Sequence, residues 1–436
     1  MKTLHYIGFI VFCGVAFLSC KQKEQVPLPT KGELDLTNVI YIGDGQMGGY
    51  MNDGLNKESQ GNSLAYILAT QMELIGANPT NFPFLNAASI GISTNGLAPM
   101  HLGYKTDCKG ISSLSPVRDA LIGDQSCLSQ NIYQAAHPFD VFGIPGLKSN
   151  QFTNANLSAT NGFFHRMSSS TTASMMNELM SRNASFFQLY IGLEDVLDYA
   201  KSGGTHENLP SELEFQQNYE QLLFNLTLNG AKGVIATIPD VSQMPYFTTI
   251  PWNGLSLDVV NAATLNSIYN PLGYYFQTGA NPFMIVDSTA NMFAVRQIQS
   301  NELLLLSLPL DSVKCNQMGV LFPIRDEFVL DIEELNLLRS KISLYNTIIR
   351  NLAQQYHLAL VNTDLFITNL SDGFVYNGVN MSAKFVSGGV YSLDGIYLNP
   401  RGNALFANEF IKAINLTYHS TIPQVNALKY DGIRFP

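Results

Sequence analysis

Four carboxylates stand just after, or close to, apolar runs in the chain: Asp44, Glu194, Asp195 and Asp394. Asp44 follows Val39-Ile40-Tyr41-Ile42-Gly43, and Glu194 and Asp195 follow Tyr190-Ile191-Gly192-Leu193. Brought to one rim of a sheet, paired carboxylates can serve glycoside hydrolysis or hold a hard cation. Glu194 and Asp394 are the pair that a cation would use. Nucleophilic chemistry would instead need a Ser beside a His. Ser59, Ser63, Ser89 and Ser93 are the nearest serines after the Asp44 turn, and His101, His137, His165, His206, His357 and His419 lie beyond the first twenty residues. Ser63 opens a helical pattern, where a cap role is expected. Ser89 and Ser93 fall in a loop-rich stretch, where solvated hydroxyls are expected. A lone His among Asn and aromatic residues is expected to be a hydrogen-bonded surface group. The chain has no C-x-x-C and no Cys/His cluster, so neither a metal site nor a cofactor is expected.

The elements that must position these residues are readable from apolar periodicity. Short β-branched and aromatic runs at 39–42, 140–144, 186–191, 233–238 and 358–361 predict strands. The first four end in Gly or Pro, as tight turns require. Leu64, Ile67, Leu68, Met72 and Ile75 predict a helix over 63–75. Leu338, Ile342, Tyr345, Ile349 and Leu352 form one stripe of a long helix over 335–352, and a closing helix is expected over 403–414. Apolar strands alternating with helices imply a parallel sheet covered on both faces, with ligands met at the carboxyl ends of the strands. Two stretches break the rhythm, 77–135 and 246–300. Both are rich in Asn, Ser, Gly and aromatics, and are expected to be insertions that cap one rim. Residues 37–436 read as one decorated α/β domain.

Several blocks, in order along this frame, carry a resemblance. Gly43-Asp44-Gly45-Gln46, continued by Gly49-Tyr50, Gly54-Leu55 and Gln60-Gly61-Asn62-Ser63, resembles the first block of the SGNH (GDSL) hydrolases and of a bacterial lipoprotein subgroup among them. Gly143-Ile144-Pro145-Gly146 resembles the second block, Tyr190 to Asp195 the third, and Ser392-Leu393-Asp394-Gly395-Ile396-Tyr397 with Pro400 and Gly402 the last. The resemblance implies a flavodoxin-like parallel sheet with helices on both faces and an ester-hydrolysing ancestry. It implies that Gly146 would offer an oxyanion-hole amide and that Asp394 would be the triad acid. Asp44 and Asp195 would be structural residues of the turns.

Three positions depart from that pattern. The family's Ser nucleophile falls at Gly45, its oxyanion-hole Asn at Glu194 and its general-base His at Tyr397. Glycine has no side-chain oxygen, so no acyl-enzyme can form there. A phenol with a pKa of about 10 is a poor proton acceptor where an imidazole of about 6.5 is called for. An ionised Glu194 would set negative charge beside a developing oxyanion. Loss of any one triad member leaves only what the oxyanion hole and binding supply.

The chain as a whole narrows the remaining choices. Of 436 residues, 24 are Lys or Arg and 34 are Asp or Glu, a net charge of −10 that gives no long-range attraction to nucleic acid. Hydrophobic residues make up 46%, enough for a large core, while charged residues are only 13%. Lys2 followed by an apolar run from Tyr6 to Leu18 and then Ser19-Cys20 reads as a secretory leader, 1–19, of lipoprotein type. Cys20 would carry lipid, and residues 20–36 would form a polar tether from the membrane to the domain. Lys21 after that Cys resembles outer-membrane sorting. Of the remaining thiols, Cys108 and Cys127 could close a loop in an oxidising compartment or stay free. Trp252, the only Trp, sits in an aromatic stretch and is a candidate ligand contact.

The expectation is therefore an envelope lipoprotein with an SGNH-type fold and a catalytically silent site, binding a glycan, lipid or protein. The alternative is an ester hydrolase of acylated glycans or lipids with a substituted or relocated site.

Overall fold

The computed structural model describes residues 28–206 and 208–436, so the leader and Cys20 lie outside the described residues. Its centre is a parallel sheet of β1 (Val39–Gly43), β2 (Val141–Gly143), β3 (Phe186–Tyr190), β4 (Lys232–Ala236) and β5 (Ala359–Val361). The spatial order is β2-β1-β3-β4-β5, with every neighbouring pair parallel. This is the flavodoxin-like order, and the chain reverses its direction of travel between β1 and β3, where a crevice for a ligand forms. Gly43 pairs in register with Gly143 on one side and Tyr190 on the other, so the turns after β1, β2 and β3 leave the sheet side by side. All residues of β1 and β3 are buried, which explains why they read as continuous apolar runs rather than alternating ones.

Helices close both faces. α1 (Gly45–Gly48) is a single turn directly after β1, and α2 (Leu64–Glu73) packs against α6 (Pro400–Tyr418) on one face. α3 (Leu193–Lys201), α4 (Glu212–Thr227) and α5 (Ile332–Gln355) pack on the other. The stripe expected on the long helix is buried in α5, whose start is fixed by a reciprocal cap between Asp331 and Glu334. Tyr345 of α5 stacks on Phe215 of α4 with ring centroids 4.2 Å apart. Burying a ring of this size stabilises the fold by about 1.5–3 kcal/mol. α6 starts where Asn399 Oδ1 accepts from Gly402 N at 2.9 Å and Pro400 takes the first helical position, where its missing N–H is not needed.

Outside the sheet the structure departs from expectation in three places. The end of the expected tether is docked rather than free: Thr30 N donates to Thr421 Oγ1 at 2.8 Å, Glu33 N donates to Tyr418 O at 2.9 Å, and Leu34 and Leu36 are buried. The second insertion has its own small core, which includes Tyr269, Phe276, Met284 and Ile324 and extends from Leu255 to Val329, well past residue 300. Trp252 packs half-buried against that core. Finally, the disulfide joins Cys108 to Cys315 across 207 residues, and Cys127 is free, with its thiol 2.9 Å from Ser89 Oγ. The bridge ties the hairpin His101–Thr106/Ser112–Val117 of the first insertion to the short helix Leu310–Cys315 of the second. Ion pairs Lys105–Asp311 at 3.3 Å and Lys314–Asp107 at 2.9 Å flank it. Sequence spacing could not find this pairing, because it depends on two insertions meeting over one rim.

Candidate functional site

The β1–α1 turn begins with Asp44, which is fully buried and caps α1 by accepting from Gln46 N at 2.9 Å. Its second carboxylate oxygen is buried with no protein partner. Burial, then the neighbouring Glu194 carboxyl, push Asp44 well above the usual carboxylate range. Gln46 links this turn to the last block: its Oε1 accepts from Leu398 N at 3.0 Å, and its amide donates to Asn403 Oδ1.

Gly45 and Tyr397 are shaped for each other. A Cβ on Gly45 would lie 3.2 Å from both Cε1 and Cζ of Tyr397 and 2.9 Å from Cβ of Tyr50. The Tyr397 ring and the Tyr50 Cβ therefore crowd the space that a side chain at position 45 would enter. Its hydroxyl donates to Glu194 Oε1, and both residues are buried. Burial, then the Glu194 charge, raise the Tyr397 phenol well above its ordinary value. Burial raises Glu194 too, while the bond from Tyr397 pulls the other way. The phenol is thus a fixed donor, and the Glu194 oxygen that it meets is an acceptor already in use.

The other block residues hold the scaffold. Asp394 Oδ1 accepts from Ile396 N and Tyr397 N, each at 2.8 Å, and Oδ2 accepts from Ser392 Oγ at 2.6 Å and Asp53 N at 3.0 Å. Four such bonds engage both oxygens, so Asp394 orients a turn rather than the Tyr397 hydroxyl. Asp195 binds Ser149, accepting from its N at 2.9 Å and its Oγ at 2.6 Å, and burial pushes it up to about 6. That contact ties α3 to the loop after β2. In this loop Gly146 has φ +78°, and nothing lies within 4 Å of where its Cβ would be. Glu194 and Asp394 are thus bonded to different partners and do not form a cation pair. Among the described residues no group of three or more His, Cys, Asp or Glu is placed to hold a metal.

The turns after β1 and β3 and the last block therefore meet at the β1/β3 reversal, with Asp44, Gly45, Glu194 and Tyr397 in one cluster. The fold is a parallel, doubly wound α/β sheet with the flavodoxin-like strand order. No family model matches the chain, and no curated protein matches it. Solved structures similar to it include an alpha/beta hydrolase enzyme from the metagenome of Lake Arreo, at 10% identity over 88% of this chain and 97% of that one, TM-score 0.37. A chain assigned as a GDSL-like lipase from Parabacteroides merdae is 10% identical over 89% of this chain and 100% of that one, TM-score 0.35. A catalytic mutant of an acetylxylan esterase from Geobacillus stearothermophilus is 9% identical over 88% and 96%, TM-score 0.36.

The contacts that roof this cluster were not visible in the sequence. The Tyr50 ring meets Tyr397 edge-on at 5.1 Å, its hydroxyl donates to Asp53 Oδ1 at 2.8 Å, and Arg118 from the first insertion pairs with Asp53. Asn52 and Asp53 both have φ above +45°, a conformation that Asn and Asp tolerate better than other side chains. That Asn-Asp-Gly run was the available signal. A separate cavity of about 10 Å³ lies behind Gln46, lined by Tyr190, Thr363, Tyr391 and apolar side chains.

The other serines take local roles. Ser63 caps α2 by accepting from Tyr66 N at 3.0 Å, and Ser59 Oγ is bonded to the Asn56 backbone. Ser93 is fully buried, not solvated, because its Oγ accepts from Asn95 N at 3.2 Å and Leu97 N at 2.9 Å. A Ser–His contact occurs between Ser158 Oγ and His165 Nδ1 at 3.1 Å, in the segment after the Gly146 loop. Ser158 is buried there and also touches Ser168 Oγ at 3.1 Å.

Proposed function

We propose that this chain is a lipid-anchored protein of the bacterial cell envelope, held through Cys20 at the outer membrane. In this proposal its SGNH-type crevice hydrolyses no esters and the domain acts as a binding or assembly module. The observation that carries the loss of chemistry is the Tyr397 ring, which fills the side-chain space of residue 45 and donates to Glu194. A nucleophile at position 45 and a ring at position 397 compete for the same volume. The apolar leader ending at Ser19-Cys20 supports export, and so does the Cys108–Cys315 bridge, since disulfides persist in oxidising compartments. A glycan, lipid or protein is the ligand class this reading leaves open.

A second reading, an esterase with a relocated site, is favoured by the Ser158–His165 contact alone. Hydrolysis of short-chain p-nitrophenyl esters separates the two. The native chain is expected to be silent, and the triple variant Gly45→Ser, Glu194→Asn, Tyr397→His to gain turnover. Native activity that survives Tyr397→Phe and is abolished by Ser158→Ala would overturn the inert-site reading.

A further inference from the structure

Beside the filled crevice lies an open groove of about 250 Å³. Its walls come from the segment after α1, the start of the first insertion's hairpin, the last block and the C-terminal residues 431–434. We infer that this groove binds a neutral oligosaccharide, deepening the binding-module reading above and resting on it. The volume is slightly below the range of drug-sized pockets, which suits one or a few sugar units rather than a folded partner.

Three observations set the ligand chemistry. The first is a set of half-used amides. Asn52 Oδ1 accepts from Leu393 N at 2.9 Å, Asn56 Oδ1 accepts from Ser59 N at 2.8 Å, and Asn62 Nδ2 donates to Glu58 O at 2.9 Å. Asn52 Nδ2, Asn56 Nδ2 and Asn62 Oδ1 have no partner among the described residues, leaving donors and an acceptor with fixed orientation. Hydroxyl groups, which both donate and accept, match such a mixed set. The second is charge. Arg434 is engaged by Asp431 at 2.6 Å and Glu58 at 2.8 Å, so an anionic ligand would find this cation already paired and the neighbouring carboxylates repelling it. The third is the partly exposed apolar lining from Pro99, Met100 and Pro400, which offers C–H surface to the faces of sugar rings.

The test is calorimetric titration of the purified protein with neutral xylo-, cello- and N-acetylglucosamine oligosaccharides, galacturonate oligomers and neutral tripeptides. A neutral sugar series is expected to bind, with galacturonate at least about tenfold weaker. Met100→Trp, which fills the groove from a half-exposed position, is expected to weaken binding at least about tenfold while leaving the melting temperature unchanged. Asn62→Leu, which removes the free acceptor, is expected to weaken it similarly. Absence of binding by every neutral sugar, preference for galacturonate or tripeptide, or affinity untouched by Met100→Trp would each overturn the inference. The ester assay fails independently. Native esterase activity with sugar binding intact would remove the inert-site reading alone, and ester silence without sugar binding would remove the groove alone.

Discussion

The β1/β3 crevice and the groove beside it are built from neighbouring residues of the same two segments, yet they are opposite in state. Tyr50 and Asp394 belong to the crevice and its roof, while Met51, Asn52 and Leu393 line the groove. In the crevice, Tyr397 and Glu194 are bonded to each other and the aromatic ring packs against Gly45, while one Asp44 oxygen stays buried without a partner. In the groove, of about 250 Å³, the side-chain amides of Asn52, Asn56 and Asn62 are each held by one bond. The difference teaches that one pair of segments can pack closely on one side and stay open on the other. Most buried polar groups are paired, and the unpartnered Asp44 oxygen is an exception in the crevice.

The largest break in this contrast comes from emptying the crevice. Tyr397→Ala removes a buried ring and leaves Glu194 without its donor, and is expected to cost about 3–5 kcal/mol by denaturant unfolding. A loss below about 1 kcal/mol would mean that the ring does not fill the site. Gly45→Ser is expected to cost about 1–3 kcal/mol, because its Cβ meets Tyr397 at 3.2 Å and Tyr50 at 2.9 Å. In a Tyr397→His background the part of that cost owed to the ring should vanish, while the closer contact with Tyr50 Cβ stays. A double-mutant cycle with no coupling would refute the shared-volume argument. Tyr397→Phe keeps the ring and deletes only the hydroxyl, so about 1–3 kcal/mol is expected from the stranded Glu194, with a smaller loss in a Glu194→Gln background.

A pH series sharpens the contrast without changing shape. Asp44 and Glu194 hold protons more tightly folded than unfolded, and Asp195 is raised from 3.8 to about 6. The folded state then binds more protons than the unfolded one once the pH passes the ordinary carboxylate range, so stability falls as pH rises. For Asp195 that loss accrues between about 3.8 and about 6. Unfolding at pH 5 and pH 7 should therefore show the protein more stable at pH 5, and Asp44→Asn with Glu194→Gln should flatten the slope. The smallest effect belongs to the groove's rim. Arg434→Ala breaks only exposed ion pairs to Asp431 and Glu58, and should change stability by at most about 1 kcal/mol.

Much of the frame was legible because apolar runs are long-range information written locally. A strand buried on both faces has to read as 39–42 or 186–191 do, and a helix with one buried stripe has to repeat as 335–352 does. The candidate site was legible by its blocks, and the replacement of a nucleophile by Gly45 needed no structure to be chemically clear. The contacts that give the replacements their meaning were not legible. Tyr397 and Glu194 are 203 residues apart, and nothing in either segment says that a phenol will meet that carboxylate. The same holds for Cys108 with Cys315, where pairing is decided by where two insertions come to rest. Ser93 shows the limit at short range: a hydroxyl in an Asn- and Gly-rich loop was expected in water, and the loop folded around it.

By itself, then, the sequence determined the parallel α/β frame, the order of the blocks along it and the absence of a nucleophile after Asp44. These follow from periodicity and side-chain type, properties that each residue carries without its neighbours in space. Only the tertiary structure decided that the crevice is filled, that Asp394 holds a turn instead of a base, and that a groove stays open beside it. Those outcomes depend on which distant side chains share a volume and which hydrogen-bond partners remain over, and close packing settles that for the whole chain at once.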